Sequence, residues 1–304
     1  MFIEQDTTQI LLEHKLIEEG LIRFAFRRPA QNVSITTTPV LPDTFAWVEV
    51  PSKDYDTICW YFTPNVLDSL RVYINYDTLI NDSTRYNLKF KEIPQRGRPT
   101  KKILQVSNNL QNGLLMPGED LVLKFSEPVT SIVMHDTSIF RSDTTEQINM
   151  MQFEKIDSVG MEYRLTEILL DDMRHSLVVA DSVFWGIRNR TNEKLSLEFR
   201  RAKENDLGNI ILTVVPPDGV HTIVEVLDAK GHIIERQFID EEKKIRFEHL
   251  IPGKYKVRAI LDTDGNGRWS TGNFHKRFLP ERILDYKEEL EVRAGWDFEL
   301  DWTL

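Results

Sequence analysis

Short runs with strand-type alternation, separated by turn residues, extend along the whole chain and limit its fold more than any other feature. Residues 70–76 are the clearest, because their apolar side chains fall at every second position and would face one side of a sheet. Similar runs recur to the carboxyl end, and no amphipathic stretch of helix length lies between them. The pattern predicts an all-β chain and excludes the β-α-β arrangement of parallel sheets.

One stretch near the amino end departs from this pattern. Residues 10–20 carry apolar side chains at a spacing close to that of a helix: Ile10, Leu11, Leu12, Leu16 and Ile17. Gly20 follows them, as glycine often follows the last turn of a helix. The sequence therefore predicts a short helix within the first domain.

The length of the chain and two polar stretches predict its domains. At 304 residues the chain exceeds the usual size of one domain. Residues 91–102 are basic and interrupted by Pro94, Gly97 and Pro99, and residues 200–206 are densely charged, so both are typical of connectors. We therefore predict tandem β-sandwich domains over residues 1–95, 103–201 and 208–304, with an Ig-like fold for the first two.

Charge and cysteine content exclude several classes of function. A net charge of −10 and a pI near 5.3 would repel phosphate backbones, so no nucleic-acid partner is expected. The single cysteine, Cys59, rules out internal disulfides and cysteine-pair zinc sites, and its strand-type surroundings predict a core thiol. No apolar run reaches the length of a membrane helix. The chain also enters folded-type sequence directly after Met1, without the pattern of a signal peptide, as expected for a fragment of a longer protein.

The run from Phe247 to Asp262 contains a tight turn followed by an alternating strand. Pro252 and Gly253 suit a turn, because proline presets one backbone angle and glycine accepts positive φ. Four alternating side chains after the turn are expected to point inward: Tyr255, Val257, Ala259 and Leu261. This run resembles transthyretin-like, carboxypeptidase-regulatory β-sandwiches, in which the motif is structural, and that resemblance implies such a fold for the third domain.

Residues 262–272 form the only constellation that suggests a cofactor. Asp262, Asp264 and Asn266 place oxygen-bearing side chains at relative positions one, three and five, as in the first half of a calcium loop. Position twelve is Asn273 where a full EF-hand has a bidentate glutamate, and no helix pattern flanks the loop. Weak calcium binding is one interpretation, and an Asx-type turn satisfied by its own backbone is the favoured one.

Several motifs together resemble one family of proteins. They are the D-x-D-G-N-G-x-W-x-x-G run at 262–272, Leu279-Pro280-Glu281, the run from Arg293 to Asp297, and Phe125-Ser126-Glu127-Pro128-Val129. They are similar to the C-terminal portion of Ig-like-domain outer-membrane lipoproteins of Bacteroidota, and the last resembles the S-layer type of bacterial Ig-like domain. Ser270 stands where that family commonly has aspartate, which removes a metal ligand. The resemblance implies a cell-envelope location, on the surface or periplasmic face of the outer membrane, through a lipid anchor that this sequence does not contain.

The leading functional interpretation is a non-catalytic interaction or scaffold portion of a cell-envelope lipoprotein, with protein partners in the outer membrane or at the cell surface. A glycan-binding accessory protein is the alternative, since exposed tryptophans can stack on sugars, although most of the six tryptophans are expected in cores. A carboxylate-dependent hydrolase is the third class. No catalytic residues are predicted, because the seven histidines are scattered and acidic pairs such as Asp171-Asp172 and Glu241-Glu242 arise by chance.

Overall fold

The protein is all-β, as its alternating runs predict. The computed structural model describes residues 9–30, 32–76, 80–88, 102–143, 151–167, 169–171, 173–272 and 277–304. In this part of the chain, the one helical element is a short 3-10 turn, Glu204–Asp206. No helix within it has the length and apolar character needed to cross a bilayer.

The first sandwich is built from two antiparallel sheets. Its strands are β1 (Leu11–Glu18), β2 (Leu21–Phe26), β3 (Ser34–Thr38), β4 (Trp47–Pro51), β5 (Thr57–Phe62), β6 (Ser69–Tyr76) and β7 (Ile80–Asn87). One sheet has the order β1-β2-β5-β4 and the other β3-β6-β7. The alternation predicted for residues 70–76 is confirmed, because Leu70, Val72, Ile74 and Tyr76 are all buried in the core between these sheets.

The predicted helix at residues 10–20 is wrong, because this stretch forms the edge strand β1. It pairs antiparallel with β2, and Gly20 lies at φ +77° in the turn that joins the two strands. Burial alternates along β1, and Leu12 and Ile17 stay exposed. The spacing of so few apolar residues fits both the helical period of about 3.6 and the strand period of two. The hydrogen bonds that β2 offers to this stretch favour the strand.

The second sandwich has three sheets of short strands. Its strands are β8 (Val106–Asn108), β9 (Leu114–Leu115), β10 (Val122–Phe125), β11 (Val129–Ile132), β12 (Ile139–Ser142), β13 (Phe153–Lys155), β14 (Glu162–Leu165), β15 (Arg174–Val179), β16 (Phe184–Gly186) and β17 (Leu195–Arg201). The sheet orders are β13-β14-β10-β8, β12-β15-β17-β9 and the pair β11-β16. β17 takes up the start of the stretch predicted as the second connector, and the 3-10 turn takes up its end. The first predicted connector lies outside the described residues except for Lys102.

The third sandwich contains the longest strands. They are β18 (Gly208–Val215), β19 (His221–Asp228), β20 (Ile233–Ile239), β21 (Lys243–Leu250), β22 (Gly253–Asp262), β23 (Ile283–Asp285), β24 (Leu290–Val292) and β25 (Asp297–Thr303). One sheet is β21-β18-β25, and the larger sheet is β20-β19-β22-β23 with β24 also on β22. The inward alternation predicted after the Pro252-Gly253 turn is confirmed, because Tyr255, Val257, Ala259 and Leu261 are buried.

Each sandwich has its own hydrophobic core, and the chain divides into two compact units. One unit contains Thr8–Leu115 and Glu119–Arg201, and the other is formed mainly by Ala202–Leu304. The first unit therefore contains two sandwiches, whose cores surround Trp60 and Phe184 respectively. That residues 208–304 fold on their own stays a prediction.

Candidate functional site

The loop after β22 brings three carboxylates together. β22 ends at Asp262, whose side chain is 2% exposed, and the chain turns through Gly265 and Gly267 at φ +70° and +74°. Such positive φ values favour glycine, so these two positions allow the loop to curl back. Asp262, Asp264 and Glu281 each place a carboxylate oxygen within 4.8 Å of the others. We call these three residues the acidic cluster.

Backbone amides and hydroxyls of the loop hold the acidic cluster in place. Asp262 accepts hydrogen bonds from the N–H groups of Asn266 (3.1 Å) and Gly267 (2.8 Å). Glu281 accepts from the N–H groups of Thr263 and Ser270, both at 2.7 Å. The hydrogen bonds to Asp262 form an Asx-type turn, and the hydrogen bonds to Glu281 close the loop from a distant position in the sequence.

Asp264 is the exposed member of the acidic cluster. It accepts from the N–H of Asn266 at 3.2 Å and from the hydroxyl of Ser270 at 2.8 Å. The Ser270 hydrogen bond is the main reason that the pKa of Asp264 lies below its ordinary value. Ser270 therefore acts as a hydrogen-bond donor within the loop.

Two of the three predicted metal ligands belong to the acidic cluster, and the third has its own partners. Asn266 accepts the N–H of Arg268 at 2.9 Å through Oδ1 and donates through Nδ2 to the Ser270 hydroxyl at 2.5 Å. Glu281 was missed as a ligand, because it comes 19 positions after Asp262 in the sequence and no loop spacing points to it. It supplies the carboxylate that the twelfth loop position lacks.

The acidic cluster has the chemistry of a hard-cation site. Calcium takes oxygen ligands, and the loop offers oxygens at positions one, three and five with glycine at position six. Within the described residues, no lysine or arginine forms an ion pair with Asp262, Asp264 or Glu281. Three converging carboxylates that no lysine or arginine pairs with repel each other, which favours a bound cation. The same oxygens already accept hydrogen bonds from the loop, which favours the turn without a cation.

A histidine lies beside this loop. His221 opposes Asp262 in the pairing of β19 with β22, and its Nδ1 lies 2.5 Å from Oδ1 of Asp240. The hydrogen bond to Asp240 raises the pKa of His221. The aspartate therefore favours the charged imidazolium next to the acidic cluster.

A second polar cluster lies between the first two sandwiches, inside one compact unit. Arg188 donates from Nε to Oε2 of Glu127 at 2.6 Å and also contacts Glu18 of β1. Arg190 donates to the other oxygen of Glu18 at 2.8 Å. The side chains of Arg188 and Glu127 are 3% and 0% exposed. We call Glu18, Glu127, Arg188 and Arg190 the buried ion cluster.

The surroundings of the buried ion cluster are closely packed. The Arg188 guanidinium lies over the ring of Tyr61 at 5.4 Å, and burial raises the pKa of that tyrosine to about 12. Burial also raises the pKa of Glu18, but hydrogen bonds from Arg190 and Arg188 outweigh it, so this pKa lies below its ordinary value. A Cβ on Gly20 would lie 2.8 Å from Cγ of Arg188, so glycine is needed at that turn.

The other residues singled out from sequence divide between core and surface. Cys59 is half-buried beside Leu21, Tyr61 and Ile187, and burial raises its thiol pKa, which is unfavourable for a reactive thiolate. The expectation that most tryptophans are core residues is wrong. Trp60 is buried and Trp302 packs partly into a core, whereas Trp47, Trp185, Trp269 and Trp296 are 40% to 57% exposed.

The acidic pairs and Trp269 also have defined places. Glu241 and Glu242 are exposed in a turn, and Asp172 lies outside the described residues. Trp269 donates its indole N–H to the backbone oxygen of Glu281 at 3.0 Å, while 44% of the residue stays exposed. This bond fastens the loop to the start of the segment that leads into β23.

Comparisons with known proteins find only remote structural likenesses. No family model and no curated protein matches this sequence. The chain is similar to the Bacillus anthracis TIE protein at 10% identity and a TM-score of 0.23, over 99% of this chain and 58% of that one. It is also similar to the I9-I11 tandem of titin at 10% identity and a TM-score of 0.17, over 93% of each chain. Likenesses this remote carry no argument about function.

Proposed function

We propose that this chain is a non-catalytic scaffold and interaction portion of a cell-envelope lipoprotein, located at the outer membrane. The buried ion cluster carries the scaffold part of the proposal. Within the second sandwich Glu127 holds the buried Arg188, and Arg188 and Arg190 then reach across to Glu18 of the first sandwich, whose side chain is 39% exposed. Separating the two sandwiches would take Glu18 away from the Arg188 side chain, which is only 3% exposed, so their relative motion costs free energy. A fixed spacing between binding surfaces is what a scaffold requires.

Distance measurements test this rigidity directly. Spin labels at the exposed positions Lys53→Cys and Lys194→Cys, in a Cys59→Ala background, report on the two sandwiches separately. We expect a narrow distribution of label distances by pulsed electron paramagnetic resonance. The same labels with Glu18→Gln added, which removes the carboxylate that Arg188 and Arg190 contact across the two sandwiches, should give a broader distribution. A broad distribution in the parent protein would contradict the scaffold proposal.

Cell fractionation tests the proposed location. The sequence motifs that resemble envelope lipoproteins support it. In the bacterium that makes this protein, we expect recovery with outer-membrane fractions. Protease treatment of intact cells then distinguishes the surface from the periplasmic face. Recovery in the cytosolic fraction would contradict the envelope part of the proposal and leave the rigidity measurement unaffected.

Glycan binding is the second candidate function, and the exposed tryptophans favour it. Trp47, Trp185, Trp269 and Trp296 offer ring surface that could stack on sugars. Binding to a panel of envelope polysaccharides tests this candidate. Loss of binding on replacing one exposed tryptophan by alanine, with the fold retained, would favour the glycan-binding alternative.

Weak calcium binding at the acidic cluster stays one of two interpretations of this loop, beside an Asx-type turn satisfied by its own backbone. The missing glutamate at the twelfth loop position was the sequence argument against an ion, and Glu281 supplies a carboxylate in that role. With three carboxylates rather than two, an affinity in the extracellular range of about 0.1 to 1 mM is expected.

A further inference from the structure

The larger sheet of the third sandwich has an outer face on which side chains from four strands form two rows. Cross-strand partners in the registers of β20, β19, β22 and β23 point to the same side. The first row is apolar and contains Phe238, Ile223, Ile260 and Ile283. The second row is charged and contains Arg236, Glu225, Arg258 and Asp285. We call this surface the outer face.

The apolar row is buried at its centre and exposed at its ends. Ile223 and Ile260 are 1% and 3% exposed, whereas Phe238 and Ile283 are 57% and 44% exposed. The loop of the acidic cluster runs beside this row, since a Cβ on Gly267 would lie 3.7 Å from Phe238. The outer face therefore presents apolar surface at both of its edges.

The charged row alternates in sign across the four strands. Glu225 is fully buried, and it accepts hydrogen bonds from Arg236 at 2.8 Å and Arg258 at 2.5 Å. Glu225 thereby holds two partly exposed guanidiniums in fixed positions. Asp285, on the far strand, is exposed and forms no ion pair within the described structure. The row thus ends in a positive group on β20 and a negative group on β23.

This pattern is complementary to itself under two-fold rotation. Two outer faces can meet through a two-fold axis that runs parallel to the strands and midway between β19 and β22. This rotation reverses the order of the four strands, so that β20 of one copy faces β23 of the second copy and β19 faces β22. Arg236 of one copy then lies opposite Asp285 of the second copy, and the reverse contact forms as well. Phe238 lies opposite Ile283 in the same way, so apolar groups meet apolar groups. Such an isologous contact is the usual form of a homodimer interface.

We infer that the outer face binds a second copy of this chain. The inference does not depend on the envelope location. Four strands at about 4.8 Å spacing and two rows of side chains, each about 7 Å deep along the strands, give a contact of roughly 270 Å² on each copy. The total of about 550 Å² is well below the range of stable complexes, so the dimer is weak and self-association needs high concentration. Its charged contacts make it sensitive to salt.

Sedimentation of the whole chain at increasing concentration tests the inference. We expect a monomer at low micromolar concentration and a growing dimer fraction towards about 1 mM, the range in which weak contacts associate. Arg236→Asp places like charges opposite each other at both ends of the contact, and so does Asp285→Arg. Each substitution alone should weaken the dimer roughly tenfold or more.

Mixing the two variants gives the decisive measurement. In a heterodimer of Arg236→Asp with Asp285→Arg, one end of the contact pairs the two reversed charges and the other end keeps the two original ones. The mixture should therefore associate with an affinity close to that of the parent protein, although neither variant does so alone. Recovery of this kind requires that positions 236 and 285 face each other across the interface.

Matched controls keep the test informative. Lys244→Glu reverses an exposed charge on the other sheet, next to Glu299, and should leave self-association unchanged. Arg236→Asp also disturbs buried Glu225, so its melting temperature is measured first. Asp285→Arg places a second positive charge opposite Arg258, so its melting temperature is measured as well, and the variant that melts like the parent protein carries the test. A parent protein that stays monomeric up to about 1 mM overturns the inference, and so does a dimer that is indifferent to both reversals.

Discussion

Arg188 donates from Nε to Glu127 Oε2 at 2.6 Å, and both side chains are almost completely removed from solvent. The backbone N–H of Arg188 also donates to the other oxygen of Glu127, at 3.0 Å. The carboxylate is thus held by two donors from one residue. Glu127 lies in the Phe125-Ser126-Glu127-Pro128-Val129 motif between β10 and β11, so this motif supplies the anion that holds Arg188, which in turn contacts Glu18 of the first sandwich.

Glu127→Gln should lower the free energy of unfolding, by up to about 3–5 kcal/mol, because it takes the fully buried counter-ion from Arg188 and leaves only the partly exposed Glu18. Urea unfolding followed by tryptophan fluorescence measures this. The matched control is Glu13→Gln, which removes the surface pair of Glu13 with Arg23 at 2.9 Å and should cost about 0–1 kcal/mol. Equal effects of the two substitutions would show that the buried pair has no special role.

Gly186→Ala should disturb the same cluster for steric reasons. A Cβ at this position would lie 2.2 Å from Oε1 of Glu127, which is closer than side chains ever approach. We expect a loss of about 1–3 kcal/mol, as for overpacked cores. Gly253→Ala is the control, since its nearest atoms would lie at 3.8 Å or beyond. If Gly186→Ala left the free energy of unfolding unchanged, the Glu127 side chain would have to be free to move away from the new methyl group.

Stability should decrease in mild acid because of His175, which is 2% exposed. Its Nε2–H donates to the Leu170 carbonyl at 3.1 Å, so Nδ1 accepts from the Ser142 hydroxyl at 2.8 Å. Burial lowers the pKa of His175 below its ordinary value of 6.5. The unfolded chain therefore binds the proton more strongly, and stability is lost as the pH falls from 6.5 through the folded pKa.

Comparing His175→Gln with the parent protein isolates this pH dependence. Glutamine does not titrate, so the slope of unfolding free energy between pH 7 and about pH 5 should become smaller. His135→Gln replaces an exposed histidine of the same sandwich and should leave the slope as it is. A slope unchanged by His175→Gln would place the acid sensitivity elsewhere.

If the acidic cluster binds calcium, a few millimolar of it should raise the melting temperature, because a ligand of the native state stabilises by mass action. Asp264→Ala and Glu281→Gln should each abolish the rise. Glu241→Gln, an exposed carboxylate outside the loop, should preserve it. No shift in the parent protein would leave the acidic cluster a turn satisfied by its own hydrogen bonds.

Residues 208–304, expressed alone, should unfold in one cooperative transition, because this stretch has its own core around Val226 and Phe247. Circular dichroism and thermal melting measure this. A chain without a transition would show that the third sandwich depends on the rest of the protein, and the predicted boundary would then be wrong.

The sequence alone determined the strand class and the inward face of single strands. Leu70 to Tyr76 and Tyr255 to Leu261 alternate with period two, and a local period is enough to assign which side chains face a core. The glycines of the calcium-type loop were equally visible, since positive φ is a local property.

Only the tertiary structure decided the rest. β1 is a strand because β2 lies beside it, Glu281 completes the acidic cluster from a distant segment, and Glu127 meets Arg188 across 61 positions. The exposure of the tryptophans was likewise decided by the tertiary structure, because it depends on which residues pack against each ring. Pairings between residues far apart in sequence leave no period in it, because chain folding rather than local propensity brings them together.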